Sequence, residues 1–287
     1  MKTIHLIGAG RLGSHLGRTL LSEPNYLLSG ICNQSLSSSE KAVNKIGGGR
    51  AYATIQDMPR ADLWFLCCND AALPELRHTL MCRDDLESCI VLHFSGVLDH
   101  YSLSTLKEKG AYIGSFHPQR SFTEVIQEHI FEKCMTFYEG MPEAIEQCIP
   151  LFQSLGMELH PIRSDNKALY HAAACMANNY LTTLAHSAQH MFEQSGVQMT
   201  LAKKLVITLM QNVLDNLKEK EHFHEALTGP LVRGDVCTIE KHLRAIEEPS
   251  LKRLYESMGI ATVRRFRLAE EAHTQCHTIL EEGLSKN

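Results

Sequence analysis

The chain opens with a mostly apolar run that gives way at once to a helical pattern. The run from Ile4 to Ile7 is typical of a buried strand, and it ends at Gly8. Apolar residues then recur three or four positions apart, at Leu12, Leu16 and Leu20, which is the spacing of one face of a helix. The pattern predicts a strand, a tight glycine turn and a helix.

Strands and helices continue to alternate up to about residue 163. Further strands are predicted at 26–32, 62–68, 88–94, 111–115, 134–138 and 158–162. Asn69 and Asp70 suit the cap of a helix from about Ala71, and another helix is expected from Pro142 to Leu155. Strands joined by helices favour right-handed crossovers and a doubly wound parallel sheet. We therefore expect an α/β domain over residues 1–163.

The pattern changes from Ser164 onward, because no further strand run follows. Ser164-Asp165 predicts the start of a long helix that reaches about Glu193. More helices are predicted at 199–220, 236–246 and 250–280, the last as one or two segments. Apolar residues lie on more than one face of 199–220, so this helix must be buried on several sides. We expect an all-helical second domain over residues 164–287 that forms a homodimer.

Composition narrows the class of protein. The 287 residues are 44% hydrophobic and 21% charged, which is typical of a folded protein with a sizeable core. A net charge of −5 without a long basic run argues against a nucleic-acid partner. No apolar run approaches the roughly 18 residues of a membrane helix, and none resembles a signal peptide. We expect a cytoplasmic protein without a membrane partner.

Cysteine and histidine spacing gives no sign of a metal. The ten cysteines are scattered, and none shows C-x-x-C spacing, so we expect reduced, buried, structural thiols. No His, Asp or Glu cluster has the spacing of metal ligands, so no metal is expected.

The three glycines of the first turn form the pattern G-x-G-x-x-G. Gly8 allows the tight turn, Gly10 lets the backbone approach a diphosphate, and Gly13 allows the helix to pack closely on the strand. The free N–H groups and positive dipole end of the helix favour an anion. The predicted cofactor-binding residues are Gly8, Ala9, Gly10, Arg11, Leu12 and Gly13, with Asn33, Gln34, Ser35, Asn69 and Ser95 at later strand ends. A glycine-rich turn without a ligand is the alternative.

The end of the second strand indicates which dinucleotide is bound. An NAD site places an acidic residue about 20 positions after the last glycine, on the ribose 2′-hydroxyl. Residues 33–35 are instead Asn, Gln and Ser, which tolerate a 2′-phosphate, and Lys41 or Arg11 could pair with it. This favours NADP, with NAD possible. The alternative is a polar loop and helix cap.

Four motifs in order resemble one family. After residues 8–13 come GAYIGSFHP at 110–118, YHAAA at 170–174 with NNY at 178–180, and ALTGP at 226–230 with RGD at 233–235. Together they resemble bacterial two-domain Rossmann-like proteins whose C-terminal part is a domain of unknown function, DUF2520, in the 6-phosphogluconate dehydrogenase-like superfamily. Pyrroline-5-carboxylate reductase, prephenate dehydrogenase and deazaflavin-dependent NADP reductase are relatives. The resemblance covers nearly the whole chain and implies an NAD(P)-dependent oxidoreductase, dimeric through its helical domain, with no particular substrate.

Hydride transfer requires a group that handles the substrate proton and groups that orient the substrate. Lys167, His171 and Asn178 share one face of the long helix predicted after Asp165. We expect His171 to transfer the proton, Asn178 to orient the substrate and Lys167 to supply a charge. Relatives in the superfamily place a helical lysine and asparagine at the nicotinamide. The alternative is that His171 is incidental among 16 histidines.

Two further side chains are candidates. His117-Pro118 resembles the His-Pro turn that faces the active cleft in prephenate dehydrogenases, so His117 is the second choice for the catalytic histidine; a structural turn histidine is the alternative. Arg233 could clamp a substrate carboxylate, or could pair with Asp235 at a helix cap.

The leading hypothesis is an NADP-dependent oxidoreductase acting on a small carboxylate-bearing metabolite. The alternatives are a non-catalytic nucleotide sensor and a dimerisation module with a vestigial cleft.

Overall fold

The computed structural model describes residues 1–266 and 271–286 of the chain. These residues pack as two compact units, Met1–Ala177 and Asn178–Asn287. The first unit contains the sheet together with the first helix that follows it, and the second unit is helical. The domain boundary between residues 163 and 164 stays a prediction.

A mostly parallel sheet forms the centre of the first unit, as expected for an α/β fold. The described residues contain eight strands, in the order β3-β2-β1-β4-β5-β6-β7-β8 across the sheet. They are β1 (Lys2–Ile7), β2 (Tyr26–Cys32), β3 (Arg50–Tyr52), β4 (Leu63–Leu66), β5 (Ile90–His93), β6 (Tyr112–Pro118), β7 (Cys134–Gly140) and β8 (Met157–Pro161). Strand β3 was not predicted, because three residues are too few to show a hydrophobic pattern.

The expectation of a wholly parallel sheet is wrong at the β6–β7 pair. These two strands are antiparallel, with Phe116 opposite Tyr138, whereas the other neighbouring strands of the described sheet are parallel. Residues 119–133 join β6 to β7 through turns and contain no helix. Without a crossover helix the chain turns back on itself, which gives an antiparallel pair.

Helices cover both faces of the sheet. They are α1 (Arg11–Leu20), α2 (Leu36–Ile46), α3 (Leu73–Met81) and α4 (Pro142–Ser154). Consecutive residues of β4 point to opposite faces. Phe65 packs in a core with residues of α1 and α4, whereas Trp64 packs in another with residues of α3. The sheet is therefore buried on both sides, and its carboxyl edge is left for a ligand.

The single long helix expected after Ser164 is interrupted. A 3-10 turn at Ser164–Asn166 leads into α5 (Lys167–Ala177), and α6 (Asn179–Gln194) follows after a break at Asn178. Asn178 is the N-cap of α6, with φ −114° and ψ −65°, a distorted α conformation that interrupts the run of helical residues. Asparagine is a weak helix former because its side chain competes for backbone hydrogen bonds. Lys167 and Asn178 thus belong to different helices, and the helical face predicted for them to share stays a prediction.

The second unit continues with helices. They are α7 (Met199–Glu219), α8 (Val236–Ala245), α9 (Pro249–Arg265) and α10 (Glu271–Lys286). Its core includes Ile239 and Leu243 of α8, Ile260 of α9 and Leu280 of α10. The helical stretch predicted at 250–280 is thus two helices, and its residues 267–270 lie outside the described residues. Within the described ranges, every helix is too short or too polar to cross a bilayer.

The cysteines are free thiols, and most are buried or half-buried. Cys82 and Cys237 are exposed, so the expectation of uniformly buried thiols is wrong at these two positions. Over residues 1–266 and 271–286, no three His, Cys, Asp or Glu side chains are grouped so that they could hold a metal ion.

Candidate functional site

The turn between β1 and α1 has the geometry of a diphosphate site. Gly8 has φ +86°, and a Cβ there would lie 3.0 Å from the backbone of Cys67 and Cys68. A Cβ on Gly13 would lie 2.5 Å from the carbonyl oxygen of Gly8. A Cβ on Gly10, in contrast, would meet no atom within 4 Å. Gly8 and Gly13 are therefore required by the protein's own packing, whereas Gly10 borders open space at the start of α1.

A cavity of about 740 Å³ opens over this turn. Its walls come from the carboxyl ends of β1, β2 and β4, where the strand order reverses between β1 and β4. Ligands of open α/β sheets bind at such a point. Of the predicted cofactor residues, Gly8, Ala9, Gly10, Asn33, Gln34 and Asn69 line the cavity, whereas Arg11, Leu12, Gly13, Ser35 and Ser95 do not.

Asn33 and Ser35 make local hydrogen bonds at the end of β2. The Asn33 Oδ1 accepts a hydrogen bond from the Ala9 N–H at 2.7 Å, and its Nδ2 donates to the Ser38 carbonyl at 3.0 Å. The Ser35 side chain caps α2 and forms a capping box with Ser38. The Asn33 carboxamide thus ties the glycine turn to α2, and Gln34 and Ser38 are left to face the cavity.

The walls of the cavity are nearly neutral. Among the described residues that line it, only Glu75 is charged. Arg11 forms an exposed ion pair with Glu124 at 2.7 Å, and Lys41 is exposed on α2. Neither cation suggested for a 2′-phosphate therefore lines the cavity.

A buried lysine lies at the ends of the next two strands. The Lys167 side chain, at the start of α5, is 2% exposed. Its Nζ donates to the carbonyl oxygen of Ser95 at 2.9 Å and to the Ser115 Oγ at 2.5 Å, and lies 3.5 Å from the Glu139 Oε1. Burial lowers the pKa of Lys167, and the negative charge of Glu139 opposes that shift.

Glu139 of β7 is the counter-ion of this lysine. Its carboxylate accepts hydrogen bonds from the backbone N–H of His100 at 2.9 Å, from the His100 Nδ1 and from the Ser164 Oγ at 2.8 Å. Burial raises the pKa of Glu139, but the bonds from His100 and Ser164 and the charge of Lys167 more than offset it, so the pKa lies below its usual value. Glu139 is therefore ionised at neutral pH and carries the negative charge that faces Lys167.

Two histidine rings converge beside Lys167. The rings of His117 and His171 are 5.9 Å apart between centroids. A Cβ on Gly96 would lie 2.4 Å from the His171 Cδ2 and 2.8 Å from the His117 Nε2. Both rings therefore approach a point that only a glycine leaves free.

The two histidines are not equivalent. The His117 Nδ1 lies 3.0 Å from the Tyr170 hydroxyl. Burial, followed by the charges of Lys167 and His171, lowers the pKa of His117 to about 4. His117 is therefore neutral near pH 7 and can orient a substrate by hydrogen bonding, but has no extra proton to give.

His93 has a structural role. Its Nε2 lies 3.0 Å from the Asp99 carbonyl, and its Nδ1 accepts a hydrogen bond from the Ser95 N–H at 3.2 Å. Burial, and then the charge of Lys167, lowers its pKa to about 4. A neutral His93 thus holds the turn that carries Ser95.

The remaining predicted site residues lie in the second unit. Asn178 is exposed at the break between α5 and α6. Arg233 is exposed in the turn before α8, where the Asp235 carboxylate caps the helix by accepting the Thr238 N–H at 3.0 Å. The roles proposed for Asn178 and Arg233 stay predictions.

Some residues of the site carried no sequence signal. Ser115 lies in the GAYIGSFHP motif and Tyr170 in the YHAAA motif, so those motifs could have drawn attention to them, whereas Gly96 belongs to neither. Glu139 lies in a strand without any motif, and only the antiparallel pairing of β7 with β6, opposite Ser115, brings it to Lys167.

Family comparison agrees with this architecture. The model of a Rossmann-like domain matches residues 2–118, and that of the domain of unknown function DUF2520 matches residues 134–262. The chain combines a Rossmann-like domain with a DUF2520 domain. The combination of a Rossmann-like domain with DUF2520 that the sequence motifs predicted is thus confirmed. Among curated proteins, no sequence relative is found.

Solved structures share the fold over nearly the whole chain. A candidate NADP oxidoreductase from Bacteroides fragilis is 20% identical, with 90% of this chain and 96% of that chain covered and a TM-score of 0.72. An imine reductase from Myxococcus stipitatus in complex with NADP⁺ is 15% identical, with coverage of 99% and 95% and a TM-score of 0.61. A 1-pyrroline-5-carboxylate reductase from Streptococcus pyogenes is 15% identical, with coverage of 99% and 98% and a TM-score of 0.58. At these identities the likeness shows the fold.

Proposed function

We propose that this chain is an NADP-dependent oxidoreductase that transfers a hydride between NADP(H) and a small, carboxylate-bearing metabolite. One observation carries the proposal: the cluster of Lys167, His117 and His171 lies at the ends of β5 and β6, next along the sheet from the cavity at the glycine turn. Strand β4, whose end lines that cavity, pairs directly with β5. A dinucleotide anchored at the turn can therefore extend along the strand ends toward the cluster.

The residues at the turn fit a dinucleotide. Gly10 borders open space at the N-terminus of α1, where unpaired N–H groups favour a diphosphate. The cavity of about 740 Å³ is within the size range of cofactor sites. Gln34 and Ser38 would face the adenosine ribose, and neither carries the negative charge that would repel a 2′-phosphate. When bound, the nicotinamide supplies or accepts the hydride.

The protein's own groups have distinct roles in this proposal. His171 gives or takes the substrate proton, because its ring meets that of His117 beside Gly96 and histidine is the commonest general acid or base of enzymes. His117, with its pKa of about 4, orients the reacting C=O or C=N bond as a neutral ring. Lys167, with Glu139 as its counter-ion, supplies a positive charge near His117. Asn178 and Arg233 are proposed to orient the substrate and to bind its carboxylate.

The structural neighbours support a C=N substrate as the first class to test. They include a 1-pyrroline-5-carboxylate reductase and an imine reductase, the latter in complex with NADP⁺. A cyclic imine acid would present both a reducible bond and a carboxylate.

The helical part of the chain is proposed to form a homodimer. Large apolar side chains of α6 and α7 are exposed on the single chain; they are Leu181, Met199, Leu201, Ile207, Leu209, Val213 and Leu214. Contiguous exposed apolar residues mark interaction surfaces. A second copy of the chain is the partner we propose for this surface.

The test is a substrate screen followed by a His171→Ala comparison. NADPH oxidation is measured with cyclic imines and 2-keto acids, and the best substrate is then assayed with His171→Ala. We expect turnover to fall about 10²- to 10⁴-fold, as for loss of a general acid or base, with NADPH affinity unchanged. His186→Ala, at an exposed position of α6, is the matched control.

Two outcomes count against the proposal. A loss of less than about threefold in His171→Ala would refute the proton role of His171. Tight NADPH binding without turnover of any substrate would favour a nucleotide sensor, and no nucleotide binding would favour a dimerisation module.

A further inference from the structure

A second cavity lies in the first unit, lined in part by Glu139. It has a volume of about 650 Å³, and its lining residues include Tyr101, Glu139, Glu146 and Ser164. The Ser164 hydroxyl donates a hydrogen bond to Glu139 at this wall. The cavity at the glycine turn does not share any of these residues.

Lys167 itself has almost no contact with solvent, since its side chain is 2% exposed. Of its polar partners among the described residues, the Ser95 carbonyl has no proton to give, and Ser115 is fully buried. Glu139 is the partner that also reaches a cavity wall. Through this carboxylate a proton of Lys167 can reach water in the second cavity.

We propose that Glu139 is a positioning residue that keeps Lys167 protonated and passes its protons to and from solvent in the second cavity. A proton leaves the Lys167 ammonium for a Glu139 carboxylate oxygen, giving a neutral amine and a carboxylic acid. The acid then releases that proton to water, and the reverse sequence restores the ammonium. No electrons or heavy atoms move, and no co-reactant other than water is needed.

The charged surroundings favour this assignment. The groups that act on Lys167 and Glu139 are Asp70, Asp99, His93, His100 and His117. Glu139 is the acid in direct reach of the Lys167 Nζ, at 3.5 Å. Loss of its charge leaves the ammonium buried without a close counter-ion, which disfavours the protonated form.

The inference deepens the proposed function, because a protonated Lys167 supplies the positive potential of that site. Its test is made on the full-length chain without cofactor or substrate, so that a failure of NADPH to bind does not affect the result. The pKa of Lys167 and the exchange of its ammonium protons with water are measured by NMR of ¹⁵N-labelled lysine side chains. Glu139→Gln is compared with Glu146→Gln, which makes the same charge change at an exposed residue of the same cavity.

In Glu139→Gln we expect the pKa of Lys167 to fall. We also expect the exchange of its ammonium protons with water, compared at the same protonated fraction of Lys167, to slow at least about tenfold, since a positioned proton-transfer group is lost. Glu146→Gln should leave both quantities unchanged. An unchanged exchange rate or an unchanged pKa in folded Glu139→Gln overturns the proposal.

If Glu139→Gln does not fold, Glu139→Asp takes its place. This variant keeps the negative charge but withdraws it from the Lys167 Nζ by one methylene. Slower exchange in Glu139→Asp than in Glu146→Gln supports the route through Glu139, and equal exchange contradicts it.

Discussion

Gly10→Val should abolish nucleotide binding while leaving the fold nearly as stable. A Cβ at Gly10 meets no atom within 4 Å, and the φ of −71° there is not in the left-handed region that favours glycine. Gly10 is also the N-cap of α1, a position where valine is less favourable than glycine, so we expect a cost of up to about 1 kcal/mol. For a domain of this size such a cost lowers Tm by roughly 2–4 °C.

The effect on binding should be much larger. The valine side chain would fill the open space beside the free N–H groups of α1, where the diphosphate is proposed to bind. We expect NADPH affinity to fall at least about 100-fold, equivalent to about 2.8 kcal/mol at 1.4 kcal/mol per tenfold change. The assay is a titration followed by nicotinamide fluorescence, with a thermal melt of each variant.

Gly13→Val provides the contrast. Its Cβ would lie 2.5 Å from the Gly8 carbonyl oxygen, so this variant should lose stability as well as binding. If Gly10→Val loses NADPH affinity but keeps its Tm, while Gly13→Val loses both, the ligand occupies the space beside Gly10. Wild-type NADPH affinity in a folded Gly10→Val protein would refute the assignment of this turn as the cofactor site.

Three further results are expected. NADPH should bind more tightly than NADH, and Gln34→Asp should reverse that order by repelling a 2′-phosphate; a clear preference for NADH in the wild type would contradict the reasoning. Light scattering at micromolar concentration should give the mass of a dimer, which Leu209→Lys on the exposed apolar face of α7 should weaken; a wild-type monomer would rule the dimer out. Lys167→Met should lower the free energy of unfolding by up to about 3 kcal/mol. This is the low end for a broken buried ion pair, because Glu139 keeps its hydrogen bonds from His100 and Ser164. Exposed Lys107→Met should change it by less than about 0.5 kcal/mol, and equal effects of the two variants in urea melts would count against a buried pair.

Local patterns were sufficient for most elements of the sheet. The strand predicted at 26–32 matches β2 (Tyr26–Cys32), because its residues are apolar and bounded by polar turns. The direction of β7 could not be predicted in the same way, since a strand's own residues do not show how it pairs. The break at Asn178 is one residue long, and the helical pattern on both sides concealed it.

The candidate site was predictable where a motif, a strand end or helical spacing marks its residues. Lys167 and His171 are one helical turn apart, so their spacing predicted a shared face. His117 was noted because a proline follows it at a strand end. Glu139 and Gly96 join the same cluster through contacts between distant segments, which no spacing in the sequence reveals.

The most direct test of the proposed function is a crystal structure of the chain with NADPH bound. We predict that the diphosphate lies against the N–H groups at the start of α1 beside Gly10, and that the nicotinamide C4 lies nearest to the rings of His117 and His171. A diphosphate bound away from Gly10, or a nicotinamide directed away from both histidines, would contradict the account.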